Sequence, residues 1–123
     1  MDWNFDNERP IYKQLVEQLK VFLITKAFVP GEKLPSVRDL AFETKVNPNT
    51  MQRALAEIES LGLVNTQRTS GRFVTEDHGL LERIQDEMAR ETTNQFLDQM
   101  EKLDIPEEKI IQYLQNEKKE RTK

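Results

Sequence analysis

Apolar residues recur every three or four positions in the amino-terminal part of the chain, a spacing that predicts amphipathic helices. The first helix is predicted from Pro10 to Phe28, and its inner face is formed by Ile11, Leu15, Leu19 and Phe22/Leu23. Pro30-Gly31 then ends the helix, because proline and glycine both interrupt helical backbone.

Two shorter helices follow, and capping residues mark where each one begins. Ser36-Val37-Arg38-Asp39 has the pattern of a capping box, in which the serine accepts from backbone N–H groups and the acid reaches back. Residues 44–47 form a short polar turn, after which Asn47 caps and Pro48 starts a third helix that ends at Gly62. The inner face of this third helix contains Met51, Leu55, Ile58 and Leu61.

The apolar period changes after Gly62 and predicts a β-hairpin. Leu63-Val64-Asn65-Thr66 and Arg72-Phe73-Val74-Thr75 are two short strand-like runs, and Gln67 to Gly71 forms the loop between them. A short helix, a tight turn, a longer helix and a hairpin follow one another in the order of a winged helix-turn-helix. We therefore predict a mainly α fold with a small β-hairpin, in which residues 1–77 form the winged domain.

The remaining residues, 78–123, predict a segment of two helices. The first runs from Gly79 to Leu103, and Ile105-Pro106 separates it from a second helix that begins near Pro106. A helix with an apolar stripe needs a partner, so we expect this segment to join two subunits rather than to fold back on the winged domain. The expected dimer contacts are Leu81, Ile84, Met88, Phe96, Met100, Leu103, Ile110, Ile111 and Leu114.

Composition excludes several kinds of chemistry. The chain has no cysteine and one histidine, His78, so neither a thiolate metal site nor a catalytic triad has its residues. We predict no enzyme activity, no metal and no cofactor. The longest aliphatic or aromatic run, Val21 to Ile24, is far shorter than the ~20 residues of a membrane span, and the acidic amino terminus is unlike a signal peptide. A chain without cysteine suits the reducing cytoplasm, where we expect it to act.

The third helix carries the candidate chemistry. In a helix-turn-helix the second helix of the motif enters the major groove, and its first residues face the base edges. At that place the chain has amide, hydroxyl and guanidinium groups, which bind bases and phosphates. These candidates are Asn47, Pro48, Asn49, Thr50, Gln52 and Arg53.

Charge placement agrees with this interpretation, although the net charge is −4. Residues 44–56 contain Lys45 and Arg53 and no acid, and residues 60–75 contain Arg68 and Arg72 and no acid. DNA binding requires a local cationic face and not a cationic protein. Tyr12 and Trp3 are interpreted as packing residues, and His78 as a linker residue.

Five stretches, in order and with matching spacing over residues 10–75, resemble GntR-type transcriptional regulators. They are Pro10-Ile11-Tyr12-Lys13-Gln14-Leu15, Pro30 to Ala41 (PGEKLPSVRDLA), Val46 to Leu55 (VNPNTMQRAL), Leu61-Gly62-Leu63-Val64 and Gly71-Arg72-Phe73-Val74. The segment after residue 77 is too short for the large ligand-binding domain that most such regulators carry. It resembles instead the short dimerisation tail of the YtrA-like subfamily.

The resemblance implies DNA contacts at particular positions. Arg38 and Ser36 would contact DNA from the second helix, and Lys45 from the turn that follows it. The wing, from Arg68 through Thr69, Ser70 and Gly71 to Arg72, would approach the minor groove. The chain departs from the family here, because Thr69 and Arg72 stand where the family has glycine and threonine. Arg72 would then add a contact of its own.

The sequence therefore predicts a homodimeric transcriptional regulator, expected to be a repressor, that binds a palindromic DNA operator. Arg38, Asn49 and Thr50 would read bases, while Lys45, Arg53 and Arg72 would hold the DNA backbone. The alternative for Arg38 is a surface ion pair with Asp39 or Glu43. The alternative function is a winged-helix adaptor that binds proteins and not DNA. A small-molecule effector at a dimer or domain junction is compatible with the first interpretation, but no residue indicates one.

Overall fold

The computed structural model describes residues 1–68 and 70–122, which form five helices and one hairpin. The helices are α1 (Ile11–Ile24), α2 (Val37–Thr44), α3 (Pro48–Ser60), α4 (His78–Lys102) and α5 (Glu107–Arg121). The strands are β1 (Val64–Gln67) and β2 (Gly71–Val74). The chain divides into two compact units, Met1–Gln85 and Asp86–Lys123. The observed division lies within α4, whereas the sequence placed the domain boundary before it.

The core of the first unit lies where α3 packs against α1 and α2. Leucines of α1 and the inner residues of α3 are at most 1% exposed, as is Leu40 of α2. Each such apolar side chain contributes roughly 1.5–3 kcal/mol through its removal from water. The buried residues of α1 and α3 in this core are Leu15, Leu19, Leu23, Met51, Ala54, Leu55 and Ile58. This packing fixes α3, so its first turn has a defined position on the surface.

Both predicted cap acceptors are present, but within residues 1–68 and 70–122 the Asp39 carboxylate forms no hydrogen bond back to Ser36 N–H, so the capping box forms only in part. Ser36 Oγ accepts from the backbone N–H of Asp39 at 3.1 Å, and Asn47 Oδ1 accepts from the N–H of Asn49 at 2.8 Å. Gly62 adopts φ +82°, as expected for a residue that ends a helix in the left-handed region. The chain thus starts α2 and α3 at the residues that the sequence indicated.

The predicted end of α1 is wrong. The helix ends at Ile24 rather than Phe28, because Lys26 adopts a left-handed conformation at φ +63°. This turn brings Phe28 back into the core, where it is 5% exposed and its ring contacts that of Phe22 edge to face at 6.0 Å between centroids. Although Phe28 is apolar and at helical spacing, it therefore lies in a loop that packs back against α1.

The wing is a two-stranded antiparallel hairpin that pairs Val64 with Val74 and Gln67 with Gly71. The segment before α2 also pairs with β2. Leu34 donates its N–H to the carbonyl of Arg72 at 2.8 Å, and Lys33 forms an isolated β-bridge with Phe73. The wing is thus joined by backbone hydrogen bonds to the residues that lead into α2.

The amino-terminal arm is tied to α1 by two glutamine side chains. Gln18 exchanges hydrogen bonds with the backbone of Asn4, at 2.9 and 2.7 Å. The buried Gln14 does the same with Asp6, at 2.9 Å in both directions. Trp3 meets Phe22 edge to face at 4.8 Å, so the prediction that Trp3 is a packing residue is confirmed.

The first turns of α4 belong to the first unit, where two of the expected dimer residues are buried within the protomer. Leu81 and Ile84 are 5% and 4% exposed in the single chain, so they already have packing partners and stabilise the protomer. In the second unit Ile110 is also buried, at 9% exposed. These three residues thus have little surface left in the single chain, and the dimer contact itself stays a prediction.

The rest of the second unit leaves apolar side chains open to solvent. Met88, Phe96 and Met100 are half-buried. Five large apolar residues are between 41% and 69% exposed, namely Leu97, Leu103, Ile111, Tyr113 and Leu114. Within residues 1–68 and 70–122, no helix has both the length and the apolar character that crossing a bilayer requires.

Candidate nucleic-acid interface

The first turn of α3 is exposed, while its other face is buried in the core. Asn47, Pro48 and Asn49 are exposed and Thr50 is half-buried. Because the Asn47 side-chain oxygen accepts the capping hydrogen bond, its amide NH2 remains available to a ligand. One turn further on, Gln52 and Arg53 are exposed too. The structure thus brings all six candidates of this helix to one end of the first unit.

The second set of candidates lies at the two ends of α2. Ser36 and Arg38 are exposed at its start, and Lys45 is exposed at its end in a left-handed conformation at φ +58°. The Ser36 hydroxyl accepts from Asp39 N–H, which leaves its own proton free to donate. Arg38 forms no ion pair with Asp39, Glu43 or any other acid in the described part of the chain. The alternative that the sequence left open for Arg38 is therefore not what the structure shows.

Arg53 has a partner that the sequence did not reveal. Its guanidinium lies over the ring of Tyr12, 4.6 Å from the ring centroid. Tyr12 is half-buried near the start of α1, so this contact joins α1 to the exposed side of α3. Tyr12 was predicted to be a packing residue, and its ring packs against the guanidinium of Arg53.

The wing places Arg68, Ser70 and Gly71 at its exposed end, and Thr69 lies outside the described residues. Arg72 has an acidic neighbour that the sequence did not indicate. Its Nε lies 3.7 Å from a carboxylate oxygen of Glu59 in α3, and its side chain is only 21% exposed. The carboxylate lies beside the arginine that was expected to reach DNA, but Arg72 Nε forms no hydrogen bond in the described part of the chain. Arg72 therefore holds the wing against α3 in this structure.

Two exposed residues beside this surface were missed by the sequence analysis. The Lys33 side chain runs against the wing, since a Cβ placed on Gly71 would lie 2.9 Å from Lys33 Cε. Gly71 also has φ +103°, which residues other than glycine rarely adopt. Phe42 lies one turn after Arg38 on α2 and is 87% exposed. The β-bridge between Lys33 and Phe73 places Lys33 beside the wing. This pairing exists only in the folded chain, so the sequence did not indicate it.

Four cationic residues near this surface lie in two acid-free stretches, residues 44–56 and 60–75, namely Lys45, Arg53, Arg68 and Arg72. One nearby acid, Glu59, pairs with Arg72, whereas the carboxylate of Asp39 remains exposed in the first turn of α2. Along the start of α3, hydrogen-bond donors are therefore present without any carboxylate. Such a surface attracts a polyanion.

Comparison with known proteins agrees with this geometry. The family described as bacterial regulatory proteins, gntR family, matches residues 11–74. The HTH-type transcriptional regulator YhcF of Bacillus subtilis is 41% identical over 112 residues, which is 91% of this chain and 93% of YhcF. The repressor YtrA of Bacillus subtilis is 41% identical over 68 residues, 55% of this chain and 52% of YtrA.

Solved structures give the same result. A GntR family transcriptional regulator from Listeria monocytogenes has a TM-score of 0.85 at 40% identity, and the match covers 91% of this chain and 98% of that one. The predicted fold class and the resemblance are thereby confirmed, and so is the prediction that the chain is not an enzyme. The chain belongs to the GntR family of DNA-binding transcriptional regulators, and its winged unit carries the family's helix-turn-helix.

Proposed function

We propose that this regulator is a repressor that binds a palindromic operator as a homodimer. The observation that carries the proposal is the exposed, acid-free first turn of α3 beside the unpaired Arg38 of α2. Repression is supported by the similarity to YtrA, a transcriptional repressor that is 41% identical over the matched 68 residues. A two-fold dimer presents two such surfaces, and two half-sites related by the same symmetry form a palindrome.

The contacts divide into those that read bases and those that hold the DNA backbone. Arg38, Asn49 and Thr50 carry side chains suited to base edges, because guanidinium and amide groups can form paired hydrogen bonds there. Ser36, Lys45 and Arg53 offer donors suited to phosphate. Arg68 and Ser70 lie on the wing, where they extend the contact to the neighbouring groove. Arg72 was also expected to hold the DNA backbone, and it remains a candidate for that contact beside Glu59.

The second unit supplies the dimer contact. Leu103 and Ile111 are 69% and 62% exposed, and Leu97, Tyr113 and Leu114 are at least 41% exposed. Large apolar side chains exposed together on a short segment indicate a surface that another protein covers. We assign this surface to a second copy of the chain, because a regulator that binds a palindromic operator requires two winged units.

Selection of bound sequences from random DNA tests this function. The native protein should enrich a duplex with two inverted half-sites, and it should sediment as a dimer both free and on that duplex. A reporter downstream of the selected sequence should be less active when the protein is present. Enrichment of no sequence would instead support the protein-binding adaptor, and increased reporter activity would contradict repression.

Lys33→Met should weaken binding to the selected duplex and reduce its salt dependence. Lys33 lies against the wing at Gly71, and the wing is expected to follow the DNA backbone. Loss of one phosphate contact lowers the slope of log affinity against log salt by about 0.9. Titrations over a range of salt concentrations measure this slope. Lys26→Met, at the opposite end of α1 from Tyr12, is the matched control and should leave the slope unchanged. An unchanged slope in Lys33→Met would remove Lys33 from the interface.

A further inference from the structure

We propose that Tyr12 is a positioning residue, whose ring holds the guanidinium of Arg53 ready to bind a DNA phosphate. The inference rests on the proposed operator binding and adds a residue of α1 to the machinery of α3. The observation behind it is the Arg53–Tyr12 stack, with the guanidinium carbon 4.6 Å from the ring centroid.

The packing of α1 against α3 explains why the ring is a fixed platform. Leu15 lies one turn after Tyr12 and is completely buried, and Leu55, two residues after Arg53, is 1% exposed. These buried residues hold the two helices together, so the backbones that carry Tyr12 and Arg53 keep a constant separation. Tyr12 itself is half-buried, while Arg53 is exposed. The arginine thus lies on top of an anchored ring and faces solvent with its other side.

The stack restrains Arg53 without using the groups that would bind phosphate. A cation over an aromatic face is attracted by the π electrons, so the N–H donors at the edge of the guanidinium plane remain free. Arg53 has no ion pair in the part of the chain that the structure describes, and residues 44–56 contain no acid that could compete. The donors of Arg53 are therefore available to a phosphate.

Restraint before binding favours affinity. A free arginine side chain loses rotamer freedom when it is fixed on a ligand, and this loss weakens binding. An arginine that is already stacked has lost part of that freedom in the unbound protein. Arg53 lies one turn after Asn49, so the restrained guanidinium flanks the turn of α3 that reads bases. Tyr12 thus assists the recognition helix although it belongs to another helix.

A double-mutant cycle on the selected duplex tests the proposal. Tyr12→Leu removes the ring face and should lower affinity roughly two- to fivefold, the range expected for an exposed cation–π contact. Tyr12→Phe keeps the ring face and should bind within about twofold of the native protein. In an Arg53→Met background, Tyr12→Leu should cause no further loss, because the side chain that it positions is gone. In proton NMR spectra the Arg53 side-chain signals should lie upfield in the native protein and in Tyr12→Phe, and not in Tyr12→Leu.

Each other outcome overturns the inference in a recognisable way. If Tyr12→Leu costs the same affinity with and without Arg53, Tyr12 acts through general packing. If Tyr12→Phe loses as much as Tyr12→Leu, the hydroxyl and not the ring face is responsible. An Arg53→Met variant with native affinity would show that Arg53 binds no phosphate. If the native protein selects no duplex at all, the proposed function fails first, and the positioning role fails with it.

Discussion

Replacing Leu103 and Ile111 by glutamate together is expected to convert the protein into a monomer that hardly binds its operator. These side chains are 69% and 62% exposed, so two added charges leave each protomer folded but prevent an apolar surface from being covered. In a dimer, binding of one winged unit holds the other close to its own half-site, which raises the overall affinity for the palindrome. A monomer lacks this linkage, so its affinity should be roughly 10²–10⁴-fold lower. Sedimentation velocity measures the first effect, and titration of the selected duplex measures the second.

The control adds the same charge to the same helices away from the apolar residues. Asn94→Asp with Gln112→Glu places two acids on exposed positions of α4 and α5, and Asn94 lies on the side of α4 opposite Phe96. Gln112 lies on the side of α5 opposite Ile110, Ile111 and Leu114, as the 3.6-residue period requires. This control should remain dimeric and bind like the native protein. If the Leu103/Ile111 variant also sediments as a dimer, the exposed apolar residues of the second unit are not the interface.

The starts of α2 and α3 followed from local chemistry. Ser36 and Asn47 accept hydrogen bonds from N–H groups two or three residues away, and Pro48 fits the first turn of α3 because no N–H is needed there. Such interactions depend only on neighbours in sequence, so composition and spacing predict them. The hairpin was predicted for the same reason, within one residue at each strand.

Contacts between distant segments were the part that the sequence could not predict. Phe28 has helical spacing from α1, yet it packs back on Phe22 after a left-handed residue. Leu81 and Ile84 belong to the apolar stripe of α4 by spacing alone, and their burial in the single chain became visible only after folding. A periodic pattern shows that one face is apolar and does not show which element, or which subunit, covers it.

In the candidate site, too, the local features were predictable from the sequence and the contacts between distant segments were not. Residue type and local charge identified the exposed candidates of α2 and α3 correctly as exposed. The pairing of Arg72 with Glu59 and the stacking of Arg53 on Tyr12 join residues that are far apart along the chain. A cation counted as free in the sequence can therefore be held by a partner in the fold. Charge counts predict where a polyanion binds, and only the structure shows which cations remain free.

Arg38→Ala is expected to produce the largest single-residue loss of operator binding. Arg38 is exposed at the start of α2 and forms no ion pair in the described part of the chain, so its planar donors are free for a base. A bidentate pair with guanine contributes about 1–3 kcal/mol of discrimination, which corresponds to roughly 5- to 150-fold in affinity. Titration of the selected duplex and of the same duplex with one base pair changed measures both quantities.

The pattern of losses separates base reading from simple charge attraction. Arg38→Lys keeps the charge but lacks the planar fork, so it should retain binding to random DNA while specific binding falls nearly as far as in Arg38→Ala. Arg83→Ala removes an exposed arginine of α4 and should leave both kinds of binding unchanged. Equal losses on specific and random DNA in Arg38→Ala would assign Arg38 to a phosphate. Base reading would then depend on Asn49 and Thr50, because their side chains occupy the exposed first turn of α3.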